Sequence, residues 1–267
     1  MIRNVLSIAG SDPSGGAGIQ ADLKAFAARG VYGMAALTAL TAQNTRGVTG
    51  VQAVAPDFVA QQIAAVFADI RVDAVKIGMI ANAAIAEAVA DVLSERHDIP
   101  IVLDPVMIAK GGAPLLAPEA VQVLSQRLLP LATLVTPNLP EAAALLGEAP
   151  AEDREGMAAQ ASRLLALGPK AVLVKGGHLE QGDSPDVLVT ADGVRWFEAA
   201  RVATENTHGT GCTLSSALAA ELAKGVDVGE AVAAAKFYLL GAITAASDLS
   251  VGTGHGPVQH FHALWKT

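Results

Sequence analysis

Short apolar runs alternate with longer, alanine-rich amphipathic stretches along the chain, and this alternation constrains the fold more than any other feature. The runs at 5–9, 34–43, 74–77, 101–103, 134–136 and 171–174 carry apolar side chains on both strand faces, which predicts strands covered on both sides. The stretches at 16–28, 56–70, 82–96, 118–128, 139–146, 153–167, 212–223 and 228–247 predict helices. Two more short strands, around 187–190 and 195–198, flank the turn Ala191-Asp192-Gly193. Strands that alternate with helices build parallel βαβ units. In such sheets ligands bind beyond the carboxyl ends of the strands, so the residues that do chemistry should lie just after strands.

Composition narrows the function classes. With 267 residues, 52% hydrophobic and only 16% charged, the chain can bury one large core, and no linker or repeat divides it, so 1–267 is read as a single domain. A net charge of -8 argues against nucleic acid as a partner, though not against a nucleotide, which needs only a local positive site. A single cysteine rules out an intrachain disulfide. The apolar run near the N-terminus is too short for a signal peptide, and the stretch 231–246 carries Lys236 and is short for a bilayer span. These points predict a cytoplasmic protein without a membrane partner.

Six segments carry the candidate chemistry. AGSDPSGGAGIQADLK leaves the first strand through a Gly/Ser loop and opens a helix, turning Asp22 towards a polar ligand. Its Gly16, Gly18 and Ala21 mimic a dinucleotide fingerprint, but the first glycine lies beyond the strand and no ribose-binding acid follows about twenty residues on, which argues against a dehydrogenase. Gln43, at the end of the second strand, offers a donor and an acceptor, as does the edge of an aminopyrimidine; it can also simply bond to a loop. Asp104, in DPVM, can help hold a magnesium–phosphate assembly, with the loop Ala109-Lys110-Gly111-Gly112 able to close over it. Asn138 and Glu141 read as a capping box or as groups that order magnesium through water. Lys175, before two glycines, can meet a phosphate as a point charge.

The sixth segment, NTHGTGCT, precedes a helix. Backbone N–H groups at Gly209, Gly211 and Cys212 converge there on an anion site. Phosphoryl transfer needs such a cradle. Cys212 falls in the first helical turn, where the dipole lowers a thiol pKa and a thiolate can accept a proton from a substrate hydroxyl. The alternative is an inert buried cysteine. The chain has no P-loop lysine motif and no protein-kinase catalytic pair. His255, His260 and His262 have no completing acids or cysteines for a metal set.

In their order, AGSDPSGGAGIQADLK, TALTAQNT, VKIGM, DPVM, TPNLPEA, VKGGH and NTHGTGCT resemble the hydroxymethylpyrimidine/phosphomethylpyrimidine kinases of thiamine synthesis, within the ribokinase-like superfamily, over nearly the whole chain. The resemblance implies a three-layer αβα fold with a central, mostly parallel sheet, and ATP with Mg2+ as the phosphoryl source. It implies that Gln43 and Asp22 bind the aminopyrimidine in a pocket lined by Gly10, Met79 and Val106. Asn138 and Glu141 would order magnesium and phosphate, beside the Asp104 already read as a magnesium–phosphate group, and Lys175 would meet the ATP phosphates. The backbone of Gly209, Thr210, Gly211 and Cys212 would form the anion hole, with Cys212 where much of the superfamily has an acidic base. It further implies a homodimer that phosphorylates the alcohol and then its monophosphate. A pyridoxal kinase of the same fold and a non-catalytic ligand-binding protein are the alternatives; Gln43 favours the pyrimidine, and Cys212, Lys175 and Asp104 favour catalysis.

Overall fold

The computed structural model describes residues 1–107, 118–179 and 182–265; the expected closing loop around Lys110 lies outside them. Parallel strands β1 (Asn4–Ser11), β2 (Tyr32–Asn44), β4 (Ala74–Ile77), β5 (Ile101–Leu103), β6 (Leu134–Val135) and β7 (Ala171–Lys175) form the centre of the sheet. Antiparallel β3 (Gly47–Ala53) closes one edge against β2, and β8 (Asp186–Thr190) and β9 (Gly193–Phe197) close the other. Among the described residues the order is β3-β2-β1-β4-β5-β6-β7-β8-β9. β3 is absent from the sequence reading. Its segment GVTGVQA holds two glycines and is largely exposed, so its strand character comes from pairing with β2 rather than from an apolar pattern.

Side chains alternate across the sheet and feed two cores. Leu6, Ile8, Val75, Ile77, Ile101 and Leu103 face α2 (Pro56–Asp69), α3 (Ala83–Leu93), α5 (Leu139–Leu146) and α6 (Arg154–Leu165). Val5, Ala74, Val102 and Leu134 face α1 (Gly18–Ala28), α7 (Thr210–Ala223) and α8 (Val228–Thr244). The result is the expected three-layer, mostly parallel arrangement. The helix predicted over 118–128 is regular only as α4 (Pro118–Val123); it then widens into a π turn over Leu124–Leu128 and tightens over Leu129–Leu131, where Pro130 cannot donate a helical hydrogen bond.

With its 3-10 extension, α8 is 21 residues long (Val228–Asp248), enough by length and composition to cross a membrane. Here Ala231, Val232, Ala235 and Tyr238 pack into the second core instead, and Lys236 pairs with Asp186.

Candidate active site

The carboxyl ends of the parallel strands open into one cavity of about 960 Å³. Apart from Asp22, all of the expected site residues line it. The segment expected to form the anion cradle lies where α7 begins. Gly209 is its N-cap at φ +78°, and a Cβ there would lie 1.8 Å from the Gly16 carbonyl oxygen, so only glycine lets these two loops meet. No side chain caps the helix. Thr213 N–H reaches the Gly209 carbonyl at 2.8 Å, while the first-turn N–H groups of Gly211 and Cys212 have no acceptor within the helix. Thr210, just before them, donates its hydroxyl to Thr207 O at 3.1 Å.

A lysine and two acids stand beside the cradle. A Cβ on Gly211 would lie 3.4 Å from Lys175 Nζ and 3.6 Å from Asp104 Oδ2. Lys175 Nζ is 3.0 Å from Asp104 Oδ1 and 3.9 Å from Glu141 Oε2. Burial opposes charge on Asp104, but Lys175 and Lys76 together hold its carboxyl below the usual range. Burial likewise opposes charge on Lys175, and Asp104 and Glu141 raise it above the ordinary lysine value. For Glu141 burial prevails: with Asp104 adding repulsion against the pull of Lys175, its carboxyl is pushed up to about 7.

The capping box is formed in full. Glu141 N–H donates to Asn138 Oδ1 at 2.9 Å, and Asn138 N–H donates to Glu141 Oε2 at 2.8 Å. This aims both side chains at the cavity from the start of α5. On the far side of Lys175, Gly176 N–H donates to Asp186 Oδ1 at 3.0 Å, and Asp186 Oδ2 pairs with Lys236 at 2.6 Å. A Cβ on Gly176 would meet Pro185 O at 1.9 Å, so this glycine admits the neighbouring loop rather than a ligand.

Two expectations need correction. Asp22 is fully buried and does not face the cavity. Lys76 Nζ lies 2.9 Å from both of its oxygens, and Ser7 and Ser216 donate to them at 2.6 and 2.7 Å. Strand alternation explains this: Lys76 points from β4 to the face that α1 and α7 cover, opposite to Val75 and Ile77. The second correction concerns Cys212. Its thiol is not lowered but pushed up to about 11, because burial, Asp22 and Asp104 outweigh Lys76 and the N–H of Gly18. By surface area Cys212 is half-buried, but protein atoms crowd its sulfur, and that crowding excludes the water a thiolate needs.

Gln43 lines the cavity from the end of β2, with the ends of its amide 3.2 Å from Thr41 Oγ1 and 3.3 Å from His208 Nε2. Gly10, Met79 and Val106 line the same cavity. Sequence reasoning gave no role to Lys76, Asp12 or His208. A lysine inside an apolar strand was the available signal for Lys76, since a buried charge requires a partner.

A helix N-terminus open to an anion, flanked by a lysine and two acids above a doubly covered sheet, suits a small-molecule phosphotransferase. The residues that would seat a dinucleotide ribose are missing. The chain belongs to the phosphomethylpyrimidine kinase family, whose model matches residues 12–259. It is 56% identical over 262 residues to the hydroxymethylpyrimidine/phosphomethylpyrimidine kinase of Salmonella typhimurium, covering 98% of each chain. It is 55% identical, again over 98% of each, to the protein of that name from Escherichia coli. Its fold matches an ADP complex of Bacillus subtilis pyridoxal kinase with a TM-score of 0.91 at 39% identity, covering 98% of this chain and 99% of that one. The fold is therefore the ribokinase-like one.

Proposed function

We propose that this protein transfers the γ-phosphoryl group of ATP to the hydroxymethyl group of 4-amino-5-hydroxymethyl-2-methylpyrimidine, and then to the monophosphate so formed, in thiamine biosynthesis. The observation that carries the reading is the juxtaposition of Gln43 with the cradle at Gly209–Cys212 in one cavity. Gln43 can pair with the aminopyrimidine edge. The N–H groups of Gly211 and Cys212, with Lys175, stabilise charge spread over the transferring group. Asp104 holds Lys175 in place.

The acid set fits a divalent cation. Asp104 and Glu141 present carboxyl oxygens 3.0 and 3.9 Å from Lys175 Nζ, the ligand type that magnesium prefers, and a bound cation would favour the ionised form of Glu141, whose carboxyl is otherwise pushed up to about 7. Asp104, Glu141 and Asn138 would hold Mg2+, partly through water, and the ion would neutralise phosphate charge. Asn138 keeps only part of its amide free for this, because its oxygen already caps α5.

Cys212 lies where the substrate hydroxyl must lose its proton. Its raised pKa makes the thiol, not the thiolate, the form present at neutral pH in the ligand-free protein. The cradle therefore supplies the larger part of the catalysis. Cys212 receives the proton only in the fraction of molecules in which it is ionised, consistent with a loose transition state that asks little of the nucleophile.

The pyridoxal kinase likeness keeps one second reading in view, since pyridoxal also has a hydroxymethyl group on an aza-aromatic ring. Gln43 favours the pyrimidine. A cytoplasmic homodimer is part of the same reading; the exposed Leu40 and Val51 on β2 and β3 offer apolar surface for self-association. The test is turnover with magnesium-ATP and, separately, the pyrimidine alcohol and pyridoxal. Faster turnover of the pyrimidine supports the reading, and much faster turnover of pyridoxal overturns it.

A further inference from the structure

Asp12 and His208 form a pair that the phosphoryl-transfer account leaves unused. Asp12 sits in the loop between β1 and α1, buried, and accepts hydrogen bonds from Ser14 N–H and Oγ at 2.9 and 2.7 Å and from Gly16 and Ala17 N–H at 3.2 and 2.8 Å. Burial opposes its charge, but His208 and these donors hold its carboxyl down at about 2. His208, next to the cradle, places Nε2 at 2.8 Å from Asp12 Oδ2 and 3.3 Å from the Gln43 amide. Its backbone is pinned as well, with N–H donated to Gly256 O at 3.0 Å.

These distances settle the direction of each bond. An ionised carboxylate only accepts, so His208 Nε2 must carry the hydrogen. The end of the Gln43 amide beside that N–H must then be oxygen, because two donors cannot face each other. The two ends of an amide are alike in shape, and the hydrogen-bond network decides between them. The opposite end, nitrogen, faces Thr41 Oγ1 at 3.2 Å. Thr41 spends its own hydrogen on Ser11 O at 2.8 Å, so it is free to accept. Every donor now meets an acceptor, with the one hydrogen on His208 Nε2 pointed at Asp12 Oδ2 at 2.8 Å and shared with the Gln43 oxygen at 3.3 Å. One N–H on the Thr41 side and one oxygen lone pair on the His208 side of Gln43 remain for a ligand.

We infer that Asp12 and His208 are positioning residues that lock the Gln43 amide in one orientation and thereby fix the order of acceptor and donor that a substrate edge must present. The edge that fits has a ring-nitrogen acceptor towards Thr41 and an amino donor towards His208. A 4-oxo pyrimidine, with a ring N–H and a carbonyl, presents the reverse order and leaves both Gln43 groups facing like groups. The inference deepens the proposed function and rests on its assignment of an aminopyrimidine to Gln43.

The test compares His208→Gln with His208→Asn. Glutamine can place an N–H donor near the former Nε2, whereas asparagine reaches only the nearer ring position. Measured for each is kcat/KM with the 4-amino alcohol divided by kcat/KM with 5-hydroxymethyl-2-methylpyrimidin-4-one. We expect His208→Gln to keep the wild-type ratio and His208→Asn to lower it at least about tenfold, through KM rather than kcat, as the unlocked amide turns to suit either ligand. A ratio unchanged in His208→Asn, or lowered equally in both variants, overturns the inference. Nitrogen NMR of the ligand-free protein provides an arm independent of substrate. Hydrogen on Nε2 of His208 is expected, and an Nδ1-only tautomer overturns the lock whatever the substrate proves to be. Failure of the wild type to phosphorylate the amino alcohol, with Nε2 protonated, rejects the proposed function and the substrate order drawn from it, and leaves the hydrogen-bond lock itself standing.

Discussion

Replacing Lys76 with methionine separates the buried-pair account of Asp22 from the ligand-facing one. Methionine keeps most of the volume of the side chain and removes its charge. Asp22 then keeps only the hydroxyls of Ser7 and Ser216 and loses the ammonium that lies 2.9 Å from both of its oxygens. Both partners are fully buried, so no water replaces what is lost. Breaking one member of such a pair costs about 3–5 kcal/mol, mainly from the stranded charge. The double variant Lys76→Met/Asp22→Asn, with no charge left to strand, should recover about 2 kcal/mol or more relative to the sum of the single variants. Urea unfolding of the four proteins, followed by circular dichroism, measures the cycle. A loss under about 1 kcal/mol for Lys76→Met, or additivity across the cycle, refutes the reasoning. Asp22→Asn by itself adds a functional contrast: a ligand-facing Asp22 would raise KM at little cost to stability, whereas the buried pair predicts the reverse.

Three further outcomes follow from the site. Gly209→Ala forces a Cβ into the Gly16 carbonyl and a side chain into left-handed backbone, so kcat should fall about 10²-fold or more as the cradle shifts, with helical content unchanged; activity within twofold of wild type would contradict the cradle. Cys212→Ala should lose most turnover while still binding the alcohol in a calorimetric titration. Because the thiol stands at about 11, the wild-type rate should climb with pH above neutrality, and Cys212→Asp should abolish that climb. Glu141 is raised from 4.5 to about 7 in the folded protein, so the folded state binds more protons than the unfolded one across that window, and stability falls as pH rises through it. Glu141→Gln should flatten this fall in denaturation midpoints measured from pH 4.5 to 7; an unchanged slope would show that Glu141 is not the group responsible.

The parallel core and the cradle could be read from sequence because both are local: apolar runs make buried strands, and glycines before an alanine-rich helix make an N-terminal anion site. What escaped depended on partners distant in the chain. β3 exists through its ladder with β2, from Ala39–Ala53 to Asn44–Gly47, and its glycines and exposure hide it from any periodic pattern. Asp22 looked ligand-facing because its segment leads into the cavity; only the fold shows that Lys76, on the fourth strand, turns back to neutralise it. Cys212 lies at the first turn of α7 as its sequence context predicts, and the helix dipole there is foreseeable, but the burial of the thiol beside Asp22 and Asp104, which raises its pKa, is visible only in the fold. For Asn138 and Glu141 both sequence readings pointed to one geometry, and the capping box is the part the fold shows.

Phosphorylation of the pyrimidine alcohol and then of its monophosphate in one cavity can be followed by mass spectrometry of a reaction containing protein, magnesium-ATP and the alcohol. A monophosphate should appear first and then be consumed as the diphosphate accumulates, with two ATP used for each diphosphate formed. A reaction that leaves the alcohol unchanged while pyridoxal, offered in parallel, becomes phosphorylated would contradict it.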